Sequence, residues 1–128
     1  MSNARTRYMS DAVVTANPTR LLTMLYDRLL VDLDRASVAL ADADDADARP
    51  RIEHAQDIVC ELMDTLDVDA WAGADRLMAI YTFVLQRLLH AGATGDAGAL
   101  ADCRGLLEPL ALAWHEAADE VGRAAVPT

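Results

Sequence analysis

Apolar residues recur along most of this chain at the three-to-four-residue spacing of helices that bury one face. The first stripe follows Asn17-Pro18. Leu22, Leu25, Leu29, Leu33, Ala36 and Leu40 share a face, and Leu21, Met24, Val31 and Val38 broaden it beyond the needs of one core seam. An Asn side chain accepts a hydrogen bond at a helix N-cap, and Pro at the first helical position forgoes none, so this pair predicts a helix start. A second stripe, Ile52, Ala55, Val59, Leu62, Met63 and Leu66 with Ile58 alongside, predicts a helix over 50–66 opened by Pro50. Leu77, Met78, Tyr81, Val84, Leu85, Leu88 and Leu89 predict a third over 74–91. Leu100, Cys103, Leu106, Leu107, Leu110, Trp114, Ala117 and Val121 predict a fourth over 97–122.

Breakers separate the stripes. Residues 41–49 carry Asp42, Asp44, Asp45 and Asp47, which read as a solvated loop whose last Asp helps to start the next helix. Calcium is the sharper alternative, but the glycine and glutamate that an EF-hand loop requires are out of register. Gly92 and Gly95 read as helix termination, and Asp96 as the cap of the next helix. Pro109 lies inside the fourth stripe; it removes a backbone bond and predicts a kink near 105–109. Four helices with short connections predict an all-α fold, an antiparallel up-down four-helix bundle. The bundle is expected over 17–124, after an irregular N-terminal flap (1–16) and before a short tail (125–128).

Composition narrows the function. The 128 residues carry a formal net charge of −10. Every basic residue is Arg. Such a chain repels phosphate backbones, so no nucleic-acid partner is expected, and no apolar run is long enough for membrane insertion. Cytoplasmic (cytosolic) residence follows as the expectation. Cys60 and Cys103 both fall among apolar residues and read as small core hydrophobes.

The common chemistries of small bundles are missing. No Glu is followed three residues later by His, as a di-iron bundle requires. His54, His90 and His115 read as surface residues, because their acidic sequence neighbours Glu53 and Glu116 do not face them on a helix. There is no glycine-rich phosphate loop and no HExxH. No enzyme activity, catalytic residue, cofactor or metal is expected. A histidine phosphotransfer-type signalling bundle is the alternative function, with His54 or His90 as acceptor. The segments following them lack the basic residue that would receive an incoming phosphate.

The N-terminal segment needs a separate account. Tyr8, Met9, Val13 and Val14 are apolar without a convincing period. They fit either a frayed leader or a flap over an apolar groove. The run Tyr8-x4-Val13-x-Thr15-Ala16-Asn17-Pro18, continuing into Leu21-Leu22-Thr23-Met24-Leu25-Tyr26-Asp27, resembles the opening of the flagellar export chaperone FliS family. Ala55-x2-Ile58-Val59-x-Glu61-Leu62, Leu77-x2-Ile80-Tyr81-x-Phe83 and Leu106-Leu107-x2-Leu110-x3-Trp114-x-Glu116-Ala117 are similar to its later helices. The likeness runs in order along nearly the whole chain. Arg28 stands where the family usually has Gly, and Pro109 is unusual.

The resemblance implies a cytoplasmic chaperone. It would bind the disordered C-terminal segment of flagellin, keep it unpolymerised and deliver it to an export gate component. It implies a role for Tyr8 in the client surface. Helix-in-groove recognition by a client that orders on binding requires a large apolar surface. The expected partner-binding residues are Tyr8 and Val13 in the flap, Ile52, Ala55, Val59, Leu62 and Met63 on the second helix, and Leu85 and Leu89 on the third. A monomer or weak dimer is expected.

Overall fold

Each of the four apolar stripes folds as a helix in the computed structural model, which describes residues 18–125. In chain order they are α1 (Pro18–Ala41), α2 (Asp45–Thr65), α3 (Ala74–Thr94) and α4 (Ala97–Ala125). Each helix packs on two others: α1 on α2 and α4, and α3 on α2 and α4. The pairs α1/α3 and α2/α4 therefore stand on the diagonals of a square. Cross-helix pairs run in opposite directions. On α1 and α4, His115 meets Asp27 (2.7 Å) and Arg104 donates to Asp34 (2.8 Å), so numbers rise along one helix as they fall along the other. The fold is an antiparallel four-helix bundle.

The first connection is tighter than its four Asp residues predict. The Asp44 N–H donates to the Ala39 carbonyl (2.8 Å) and the Ala43 N–H to the Leu40 carbonyl (3.1 Å), a paired closure of the helix end. This geometry puts Ala43 at φ 56°, a left-handed conformation that costs an alanine roughly 1 kcal/mol. Asp44 then caps α2, its carboxylate accepting the Asp47 N–H (3.1 Å). Asp45 and Asp47 in the first turn favour the positive end of the helix. Consequently α2 starts before Pro50, which lies inside the helix rather than at its first position.

The other boundaries lie close to the pattern. Gly95 ends α3 in the left-handed region (φ 73°), its N–H donating to the Ala91 carbonyl (2.8 Å). The Asp96 carboxylate accepts the Gly98 N–H (2.9 Å) at the opening of α4. Contact with His90, then that backbone N–H, holds the Asp96 carboxyl below its ordinary range. α4 continues through Pro109 without interruption. Gly105, whose carbonyl Pro109 cannot bond, is exposed, as is the proline itself.

Leu29, Leu33, Ile52, Leu62, Leu88, Leu100 and Leu107 fill the interior. Burying each stabilises the fold by roughly 1.5–3 kcal/mol. One polar layer crosses the core. Tyr26 and Tyr81, on diagonal helices, share a hydrogen bond between hydroxyls 2.6 Å apart. The Tyr26 ring also tilts against Trp114, centroids 6.5 Å apart. Burial raises both phenol pKa values. Of the cysteines, Cys103 is buried and Cys60 is exposed. The reading of Cys60 as a core residue is thus corrected: it lies on the outward side of α2, one position past the buried Val59.

Candidate protein-binding surface

The residues expected to bind a partner divide sharply. Ile52, Ala55, Val59 and Leu62 are at most 2% exposed and belong to the core cluster; Ala55, Val59 and Leu62 offer no surface in this conformation, and Ile52 only a sliver. Met63 and Leu85 are half-buried at the edge of that cluster. Leu89 is 53% exposed. Tyr8 and Val13, like the cap Asn17, lie outside the described residues. Helical spacing identifies the stripe but not its inner and outer edges, so core and edge positions look alike in the sequence.

Along the α2–α3 seam the surface opens into a depression of about 290 Å³, lined by Arg49, Ile52, Glu53, Gln56, Leu89, Gly92 and Ala93. Two of the expected residues meet there, Ile52 in its floor and Leu89 at its exposed edge. Gln56 crosses the seam and donates to the Leu88 carbonyl (3.4 Å). Gly92 leaves space above: a Cβ there would reach Ile52 and Gln56 at an ordinary 3.5 Å. The sequence reading missed Gly92 as a site residue because it took the glycine for a helix end, whereas α3 runs on to Thr94. Its place one turn after Leu88 and Leu89 was the available signal. Arg49, Glu53 and Gln56 make the lining mainly polar, with Ile52, Leu89 and Ala93 as its apolar part. That is a surface for an amphipathic segment, with no nucleophile or paired acid and base aimed into it.

Further apolar side chains are exposed elsewhere, notably Met24, Val31, Val38, Trp71, Phe83 and Leu112. Trp71 folds over Gly73 so closely that a Cβ at that position would fall 2.0 Å from the ring. A side chain at 73 would therefore displace the exposed Trp71 ring.

Each histidine faces an aspartate: His54 contacts Asp32 and His115 contacts Asp27, both across helices, and His90 contacts Asp96 (3.2 Å), six residues on. A carboxylate beside the ring repels an incoming phosphate, which weighs against His54 and His90 as acceptors. Among the described residues no group of His, Cys, Asp and Glu is arranged to hold a metal ion, and no helix is long and apolar enough to cross a membrane.

Comparison with known proteins agrees with this geometry. The family model described as "Flagellar protein FliS" matches residues 1–121, a span that includes the N-terminal segment. The flagellar secretion chaperone FliS of Bacillus subtilis (strain 168) is 31% identical over 117 residues, covering 91% of this chain and 87% of that protein. The protein of the same name from Escherichia coli (strain K12) is 30% identical over 110 residues, covering 84% and 81%. A solved structure described as a flagellar chaperone from bacteria shares the fold, with a TM-score of 0.75 at 20% identity over 91% of this chain and 96% of that one. With a family match across nearly its whole length and relatives at this identity, the chain belongs to the FliS family of flagellar secretion chaperones.

Proposed function

We propose that this protein is a cytosolic export chaperone. In this reading it binds the disordered C-terminal region of flagellin, prevents premature polymerisation and assists delivery to the flagellar type III export gate. It acts by binding rather than by catalysis, as a monomer or weak dimer. The observation that carries the reading is the family match over residues 1–121. The α2–α3 seam supports it, because a depression that sets Ile52 and Leu89 among Arg49, Glu53 and Gln56 offers both apolar and polar contacts to a client segment that becomes helical on binding.

The client surface on this reading combines Met63, Leu85, Leu89 and the floor at Ile52 with the N-terminal Tyr8 and Val13. Ala55, Val59 and Leu62 support it from within the core. A client that orders on binding loses conformational entropy, so several such contacts must act together. Co-expression with the cognate flagellin C-terminal fragment should give a stoichiometric complex in size-exclusion chromatography. Tyr8→Ala should weaken that complex while leaving the thermal midpoint nearly unchanged. If Tyr8→Ala lowers affinity and midpoint together, Tyr8 is a structural residue. A fragment that elutes free removes the chaperone assignment itself.

A further inference from the structure

The outer face of α1 carries a second stripe, distinct from the core stripe. Arg20, Met24, Arg28, Val31, Arg35 and Val38 fall at helical spacing on one side of the helix, and all six are exposed. Met24, Val31 and Val38 are 59%, 39% and 62% exposed. Their seven-residue spacing is that of a helix-pairing seam, and the three span about 21 Å of helix. Isolated exposed apolar residues are ordinary, but three in register with arginines interleaved form a patterned surface.

The charge of this stripe opposes that of the molecule. A chain of net charge −10 places three of its arginines here. The acids on the neighbouring flank are engaged: Asp34 takes Arg104 and Asp27 takes His115, both from α4. Asp32 is buried, 3.9 Å from Arg28. Among the described residues, Arg20 and Arg35 have no ion-pair partner. We infer that the outer face of α1 is a docking surface for an amphipathic helix of another protein, one whose apolar seam is flanked by Asp or Glu.

Two other occupants fit poorly. A second copy docking through the same stripe would bring arginine against arginine. The N-terminal segment of this chain carries Arg5 and Arg7 against Asp11 alone, so it too is basic. The stripe is also separate from the α2–α3 depression, since α1 stands diagonally across from α3. The inference therefore does not rest on client binding at that depression.

The test uses two designed 18-residue peptides with leucines at heptad spacing, one flanked by glutamates and one by arginines. Each is titrated into the folded protein and followed by backbone NMR and fluorescence anisotropy. The glutamate peptide should bind, perturb Met24, Val31 and Val38, and weaken as salt is raised. Arg28→Gln with Arg35→Glu should weaken it by roughly tenfold or more, with an unchanged thermal midpoint, and should improve binding of the arginine peptide. Gln is chosen at 28 because a glutamate there would lie beside the buried Asp32. Val31→Ser should weaken both peptides. Absence of binding, equal affinity for the two peptides, perturbations confined to the α2–α3 seam, or dimerisation through α1 would each overturn the inference.

Discussion

The hydroxyls of Tyr26 and Tyr81 meet inside the bundle and tie together two helices that stand on its diagonal. Deleting one of them strands the other in an apolar setting. Tyr81→Phe should therefore destabilise the fold by roughly 1–3 kcal/mol, and Tyr26→Phe with Tyr81→Phe by less than the sum of the single changes, as read by urea denaturation. The same pair sets an alkaline limit. Both phenols ionise at higher pH in the folded chain than at the unfolded value of 10.0. The stability they contribute is complete below that value and is lost as pH rises through the folded values. Cys103, pushed up to about 11 by burial, acts with the same sign. No lysine titrates over this window. Stability should thus begin to fall from about pH 9, where the unfolded thiol ionises, and further from about pH 10, the second part less steeply in the double Phe variant; equal slopes above pH 10 would contradict the assignment. A second buried polar residue, Asp32, is 1% exposed, with one carboxylate oxygen on His54 and the other without a hydrogen bond. His54→Ala should destabilise by roughly 1–3 kcal/mol, and adding Asp32→Asn should restore part of the loss. Neither polar pair was legible in the sequence, because both join residues brought together only by the crossing of helices.

At the scale of the helices, the pattern located all four, and the starts of α3 and α4 fall at the expected residues 74 and 97. It placed the start of α2 too late. Pro50 is a good first-turn residue, but Asp44 already caps the helix, and the buried Ala48 holds the preceding turn against the core. The capping carboxylate outweighs the single backbone bond that Pro50 forgoes. Two substitutions in this connection should move stability in opposite directions. Ala43→Gly relieves the left-handed strain and should raise stability by about 1 kcal/mol. Asp44→Ala removes the cap and should lower it by about 1 kcal/mol. Thermal melts of the two variants decide whether this tight closure exists in solution. Pro109 was legible as a residue that costs a backbone bond. What the spacing did not show is that the proline and Gly105 both lie on the solvent side, where the helix continues past them.

For the molecule as a whole, the bundle holds a packed core, and the proposed client site falls at its edges. The four inner residues of α2 named from the pattern serve that core. The proposed client surface lies one step outward, at Met63, Leu85 and Leu89, of which Leu89 lines the opening that Gly92 leaves. Gly92→Leu should fill this depression with little loss of stability, since a Cβ fits there at ordinary distance, and should reduce client affinity about tenfold. A variant that binds the client normally would move the client site away from the seam.

The central claim, that this bundle is a flagellin chaperone, meets its most direct test in calorimetry with the cognate flagellin C-terminal fragment at several temperatures. The expected result is saturable one-to-one binding with a negative heat-capacity change, the mark of apolar surface buried as the client folds onto the bundle. No heat at any temperature, together with no co-migration of the fragment, would contradict it.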